Sequence, residues 1–177
     1  QFHVAEKREQ QNEIIKVMLQ QKSHRYQETG AWDMLAIPEY QNFYSRLATF
    51  DYCQNKIHCS GLLVNGIMVA SHVGLVDKDT FYYLMPAHKG EDWGKYSPGR
   101  LLLLELLRWS IENQLKFFDF TVGAETYKKD WCDIEIDLYE SIKPVMFRGW
   151  LYLSILNNKA ILKKSPILRK IVRAIKK

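Results

Sequence analysis

The sequence predicts an α+β domain with a mostly antiparallel sheet and one parallel step, and three observations carry that prediction. Strand-like runs meet at "NG" (Asn65-Gly66) and again at "DKDT" (77–80), so residues 56–87 read as an antiparallel meander of three strands. A very apolar helical pattern then covers 100–113, with leucines at 101–104, 106 and 107 around most of its surface. A further apolar run, "KFFDFTV", follows it. Strand, helix and strand in that order form a crossover, which lays the later strand parallel to the last strand of the meander.

Each element has its own signal. Residues 5–29 form a polar helix whose apolar part is Ile14, Ile15, Val17, Met18 and Leu19, with Gly30 as its stop. "IPEYQNFYSRLATF" predicts a second helix, with Pro38 in its first turn and Tyr40, Phe43, Tyr44 and Leu47 at helical spacing. In the middle strand, alternation puts Ile67, Val69, Ser71 and Val73 on one face and Met68, Ala70, His72 and Gly74 on the other. After "KFFDFTV" come a short helix, "ETYKKDW", an alternating strand, "DIEIDLYESI", and a helical tail from Pro144 that Pro166 breaks in two. The expected organisation is one domain over 1–145 with a basic helical tail over 146–177. The sequence opens on Gln rather than Met, and the expectation is a fragment of a longer chain.

Composition narrows the function classes. A chain of 177 residues can bury a core without disulfides or metals. Cys53, Cys59 and Cys132 show no C-x-x-C spacing and read as reduced thiols of a cytoplasmic protein. The five histidines are scattered and predict no metal site. No apolar run reaches the ~20 residues of a membrane span, and the polar start "QFHVAEKREQQNE" is not a signal peptide. The net charge of +5 is uneven: ten of the 25 Lys/Arg and none of the 20 Asp/Glu lie from Ser141 onward, which leaves 15 basic against 20 acidic residues before it. An acidic body argues against nucleic acid as a partner. The tail "NNKAILKKSPILRKIVRAIKK" interleaves apolar residues with eight cations, which suits either packing on its own domain or peripheral contact with an anionic membrane.

Two clusters exceed what a core needs. "KYSPGR" sits between a strand and the start of the buried helix, where backbone N–H groups and the positive end of the helix dipole meet; Gly99 allows close approach and Arg100 adds charge, a combination that suits a pyrophosphate. One helix and one strand later, Gly123 permits a tight exit before Glu125, Tyr127, Lys128 and Trp131, and Tyr127 and Trp131 are four apart as on one helix face. In a parallel crossover both clusters belong to the same end of the sheet, where ligands of such units bind.

The segment "YSPGRLLLLELLRWSIENQLKFFDFTVGAETYKKDW" resembles the signature of CelD-like acetyltransferase domains, a GNAT-superfamily group associated with cellulose or exopolysaccharide biosynthesis and related to the FemAB-like transferases. The matching positions are Ser97, Pro98, Gly99, Leu101, Leu102, Phe118, Asp119, Phe120, Gly123, Glu125, Tyr127, Lys128 and Trp131. The resemblance covers about 10–140 and is specific from 95 to 131. It implies a bacterial GNAT fold and transfer of an acyl group, acetyl first of all, from acyl-CoA to an amine or hydroxyl of a sugar or cell-envelope precursor. It further implies that Tyr96, Ser97, Pro98, Gly99, Arg100 and Leu101 bind the CoA pyrophosphate, although Pro98 removes one donor that the usual superfamily loop has. By the same resemblance Tyr127 protonates the leaving thiolate, while Gly123, Lys128 and Trp131 face the acceptor. Glu125 or Asp119 serves as base, with Lys128 the expected partner of Asp119, and His72 is a further candidate base. Two other readings accompany this one: a FemAB-like aminoacyl transferase, and a degenerate GNAT domain acting as a binding module.

Overall fold

The computed structural model describes residues 1–49, 56–139 and 141–157. It divides into two compact units, Gln1–Asp130 and Trp131–Lys177. The basic tail beyond residue 157, including the break expected at Pro166, lies outside the described residues, as does Cys53.

The first unit holds a five-stranded sheet in the order β1-β2-β3-β4-β5. Its strands are β1 (Phe2–Val4), β2 (Ile57–Val64), β3 (Ile67–Asp77), β4 (Thr80–His88) and β5 (Phe117–Asp119). The meander is antiparallel and β5 lies parallel to β4, as the crossover requires. Asn65 and Gly66 both have positive φ, 50° and 76°, the paired left-handed turn that "NG" favours. β1 has no counterpart in the sequence reading: three residues without alternation give no signal, and only pairing with β2, Phe2 opposite Leu62, makes them a strand.

The helices are α1 (Arg8–Thr29), α2 (Pro38–Arg46) and α3 (Pro98–Glu112). The Gln10 side chain accepts from the Glu6 and Lys7 N–H groups at 2.9 and 3.0 Å, closing the start of α1. Gly30 ends the helix at φ 64°, its N–H donating to Gln27 O. The second helix is shorter than expected: α2 stops at Arg46 and a 3-10 turn, Leu47–Thr49, completes the described part.

The sheet carries a different core on each face. On one, Ile14, Ile15 and Met18 of α1 pack on Ile57, Cys59, Val73, Met85 and Ala87. Gln21 locks this contact, donating to Met68 O at 2.9 Å and accepting from Ser71 Oγ at 2.7 Å. On the other, α3 buries Leu102, Leu103 and Leu106, and its Trp109 ring lies 4.3 Å from His58. Phe81 stacks on Phe118 at 4.9 Å, joining β4 to β5. Having a covered face on each side explains why β3 is buried at both alternating sets over 69–74.

In the second unit, α4 (Phe147–Asn157) is helical, as expected for the start of the tail. The strand expected over "DIEIDLYESI" does not form: no ladder includes its described residues, and Ile134, Ile136 and Leu138 are all more than 70% exposed. Alternation makes a segment fit for a sheet, but a strand exists only where a partner edge takes up its N–H and C=O groups.

Candidate active site

β4 is the element that builds the site. β5 pairs only with its first three residues, ending with Tyr82 opposite Asp119. Immediately beyond, the β3–β4 register slips by one residue between Val73 and Leu75, a bulge in β4 around 83–84. Gly74 lies opposite: a Cβ there would come 2.4 Å from Tyr82 O and 2.4 Å from the His72 ring. Among the described residues the outer edge of β4 is therefore left without a strand from Tyr83 to His88, roughly 20 Å of free edge at ~3.4 Å per residue. The loop leading to α3 lies at its far end and the loop after β5 at its near end. The two clusters thus share one end of the sheet, offset along the strand.

At the far end, a 3-10 turn (Glu91–Tyr96) leads into α3. Ser97 adopts a left-handed conformation, φ 49° and ψ 53°, and Pro98 opens the helix. The donors expected here are partly consumed. Arg100 and Leu101 N–H both turn back on Ser97 O, at 2.9 and 3.1 Å, and Pro98 has none, so the Gly99 N–H is what the first turn of the helix presents. Gly99 is close-packed, since a Cβ would meet His88 Cδ2 at 2.9 Å. Tyr96 is exposed, with the Lys95 ammonium 5.0 Å from its ring centroid.

At the near end, Thr121 Oγ donates to Tyr83 O at 3.3 Å. Lys128 Nζ bonds Glu125 Oε2 at 2.8 Å and reaches Val122 O and Gly123 O, both at 3.3 Å. That bond holds the Glu125 carboxyl below the usual carboxylate range, with Lys22 adding to the effect. Gly123 has φ 134°, a backbone conformation that strains any L side chain, and a Cβ there would also displace the Glu125 carboxylate. Burial holds the Tyr83 hydroxyl well above the ordinary tyrosine range, and the neighbouring Tyr127 phenol raises it further.

The structure thus brings Glu125, Lys128 and Gly123 together and sets Tyr127 near Tyr83. Three expectations need correction. Asp119 does not pair with Lys128: β5 is an edge strand, Asp119 is exposed, and its Oδ1 accepts the Thr121 N–H at 2.6 Å. Tyr127 and Trp131 do not share an α-helical face, because Thr126–Asp130 is a 3-10 turn and Trp131 opens the second unit. His72 is a core residue. It is fully buried, stacked on Tyr83 at 4.8 Å, and neither of its ring nitrogens has a hydrogen-bond partner among the described residues. Burial, with nearby His58 and Lys22, holds it well below the usual histidine range.

Sequence reasoning missed Lys22. It extends from the third turn from the end of α1 to donate to Pro86 O at 3.0 Å, with its ammonium 5.9 Å from the Tyr26 ring centroid. Burial pulls it below the usual lysine range and the Glu125 carboxylate opposes the shift. One lysine in a polar helix carries no signal, yet Pro86 inside a strand pattern does mark an edge position. A shallow depression between α1 and α2, lined by Lys16, Leu19, Ser23 and Gln41 among others, contains none of these residues. Among the described residues no cluster of His, Cys, Asp or Glu could hold a metal ion, and no helix is long and apolar enough to cross a membrane.

Several solved structures share the fold. A predicted acetyltransferase from Clostridium acetobutylicum, determined with acetyl-CoA, is 12% identical, with a TM-score of 0.56 over 80% of this chain and 95% of that one. The aminoglycoside acetyltransferase meta-AAC0020 from an uncultured soil metagenomic sample, in complex with sisomicin, is 14% identical, with a TM-score of 0.51 over 81% and 96%. A possible acetyltransferase from Clostridium difficile 630 is 14% identical, with a TM-score of 0.51 over 80% and 99%. No curated protein matches the sequence. The model of the acetyltransferase (GNAT) domain family matches residues 1–129, the whole sheet and every residue of the free β4 edge, and the chain belongs to that family.

Proposed function

We propose that this GNAT acetyltransferase takes its acetyl group from acetyl-CoA and transfers it to an amine or hydroxyl of a sugar or cell-envelope precursor. The observation that carries the donor reading is the free edge of β4, some 20 Å long at ~3.4 Å per residue, with a helix start at one end and the Glu125 cluster at the other. A ligand with a pyrophosphate and a long extended arm fits that layout: phosphate oxygens favour the α3 start, and the arm's amides favour an unpaired strand edge. Acetyl-CoA is such a ligand, and it accompanies the Clostridium acetobutylicum structure.

In this reading Tyr96, Ser97, Gly99, Arg100 and Leu101 surround the pyrophosphate, Pro98 fixing the turn. Glu125 removes the acceptor's proton, directly or through water. Its Lys128 bond keeps it ionised and so open to a proton, and lowers its basicity, so release from Lys128 as the acceptor binds would strengthen it as a base. The acceptor then attacks the thioester carbon, the C–S bond breaks, and Tyr127 gives its proton to the departing thiolate. Gly123 keeps the exit from β5 narrow against the acceptor. His72 has no part in proton transfer here. The acceptor class, like the CelD-like affiliation, rests on the 95–131 signature. Peripheral membrane contact through the basic tail belongs to the same reading, and co-flotation with anionic vesicles tests it.

Calorimetric titration with acetyl-CoA, CoA and dephospho-CoA tests the donor. Micromolar binding of acetyl-CoA is expected, and no binding at millimolar ligand would sink the reading. Release of free CoA thiol in the presence of sisomicin, nucleotide amino sugars or simple sugars then sorts amine from hydroxyl acceptors.

A further inference from the structure

We propose that the Lys22 ammonium replaces the hydrogen-bond donor that Pro86 removes from the free edge of β4, and that it binds a carbonyl oxygen of the acyl-CoA arm. This assignment rests on the acyl-CoA reading above.

The argument starts from the ladder. Lys89 N–H donates to Val69 O at 2.9 Å, which makes 69 and 89 a hydrogen-bonded pair. Antiparallel pairs alternate, so Ser71–Ala87 is bonded and His72–Pro86 is not. The backbone groups of residue 86 therefore point away from β3, towards the side where β5 has already ended. An extended ligand laid on a strand edge reads N–H and C=O in turn. At residue 86 it finds a carbonyl and no N–H.

Lys22 reaches that same spot, its Nζ 3.0 Å from Pro86 O. An ammonium has three donors, and Pro86 O takes one. The Glu125 carboxylate is close enough to act electrostatically on the same cation. A purely structural role for Lys22 is redundant, since the adjacent Gln21 already fastens α1 to β3 through Met68 O and Ser71. A half-buried lysine at the one edge position without an N–H is where a carbonyl-bearing ligand needs a donor.

The test is a cycle of Lys22→Met, Pro86→Ala and the double variant, each titrated with acetyl-CoA and with CoA beside a thermal melt. Lys22→Met is expected to weaken acetyl-CoA binding by roughly 10-fold or more, the scale of a charged hydrogen bond. Pro86→Ala alone should bind much as the wild type does. In the double variant the restored backbone N–H should recover most of the loss, which a helix-anchoring lysine would not allow. An equal loss for CoA assigns the contact to an amide carbonyl of the arm, and a loss confined to acetyl-CoA assigns it to the thioester. Wild-type affinity in Lys22→Met, or a loss that Pro86→Ala leaves unrecovered, overturns the assignment while the donor reading stands. Absence of binding by the wild type overturns both. Should Lys22→Met not fold, Lys22→Leu carries the same cycle with a shorter side chain that has no donor.

Discussion

Residues 80–82 of β4 lie between β3 and β5, whereas, among the described residues, 83–88 have a strand on one side only. The paired half spends its side chains on packing: Phe81 is fully buried and stacks on Phe118, within reach of His58, His72 and Trp109. The free half leaves its outward backbone groups without a strand partner among the described residues. Its outward carbonyls at Tyr83 and Pro86 are met by Thr121 and Lys22 in place of a neighbouring strand. A bulge marks the change, with Gly74 opposite it leaving room for the Tyr82 carbonyl. One continuous strand can thus stabilise the fold over one stretch and offer a ligand edge over the next, because pairing consumes the groups that binding needs.

The sharpest way to break this contrast is to damage the paired half. Phe81→Ala should destabilise the unit by about 3–5 kcal/mol, read as a drop in denaturant midpoint, with CoA affinity unchanged wherever the protein remains folded. The histidines of the same packed region give the next largest effect. Burial pushes His58 down to about 4 from an ordinary value of 6.5, and His72 is lowered as well. The unfolded chain therefore binds protons below pH 6.5 that the folded chain refuses. Stability is complete above that pH and falls as the pH drops towards about 4, by about 3 kcal/mol from His58 alone at ~1.4 kcal/mol per pK unit. Denaturant midpoints from pH 7 to 4.5 should trace this loss, and His58→Phe should flatten the curve.

Changes in the loops at the two ends of the free half should do the reverse, acting on binding and turnover more than on stability. Gly99→Phe would drive a ring into His88 at the α3 start. It should weaken acetyl-CoA by at least about 100-fold, near 2.7 kcal/mol, in a calorimetric titration. Tyr127→Phe should lower turnover by about 10- to 100-fold with KM for acetyl-CoA little changed, in assays of thiol release. Full turnover in that variant would remove Tyr127 from the acid role and leave Tyr83, its buried neighbour at the bulge, to be tested next.

The hairpin at Asn65-Gly66, the buried α3, the Gly30 stop and the parallel placement of β5 were all legible in the sequence. Each depends on local chemistry: a left-handed turn, an apolar surface, a missing Cβ, a crossover whose handedness has little freedom. The Glu125–Lys128 pair was legible as a cluster, because i,i+3 neighbours meet whatever surrounds them. What the sequence could not decide is which groups find long-range partners. Residues 133–139 alternate as well as β3 does and yet join no ladder among the described residues, while β1 joins one without alternating. Asp119 looked buried because its neighbours are aromatic, and only the edge position of β5 exposes it. Lys22 lies 64 residues from the carbonyl it meets. Local geometry is written in adjacent residues, so it can be read one window at a time. A strand's neighbour, and the edge it lacks, exist only once the whole sheet has assembled.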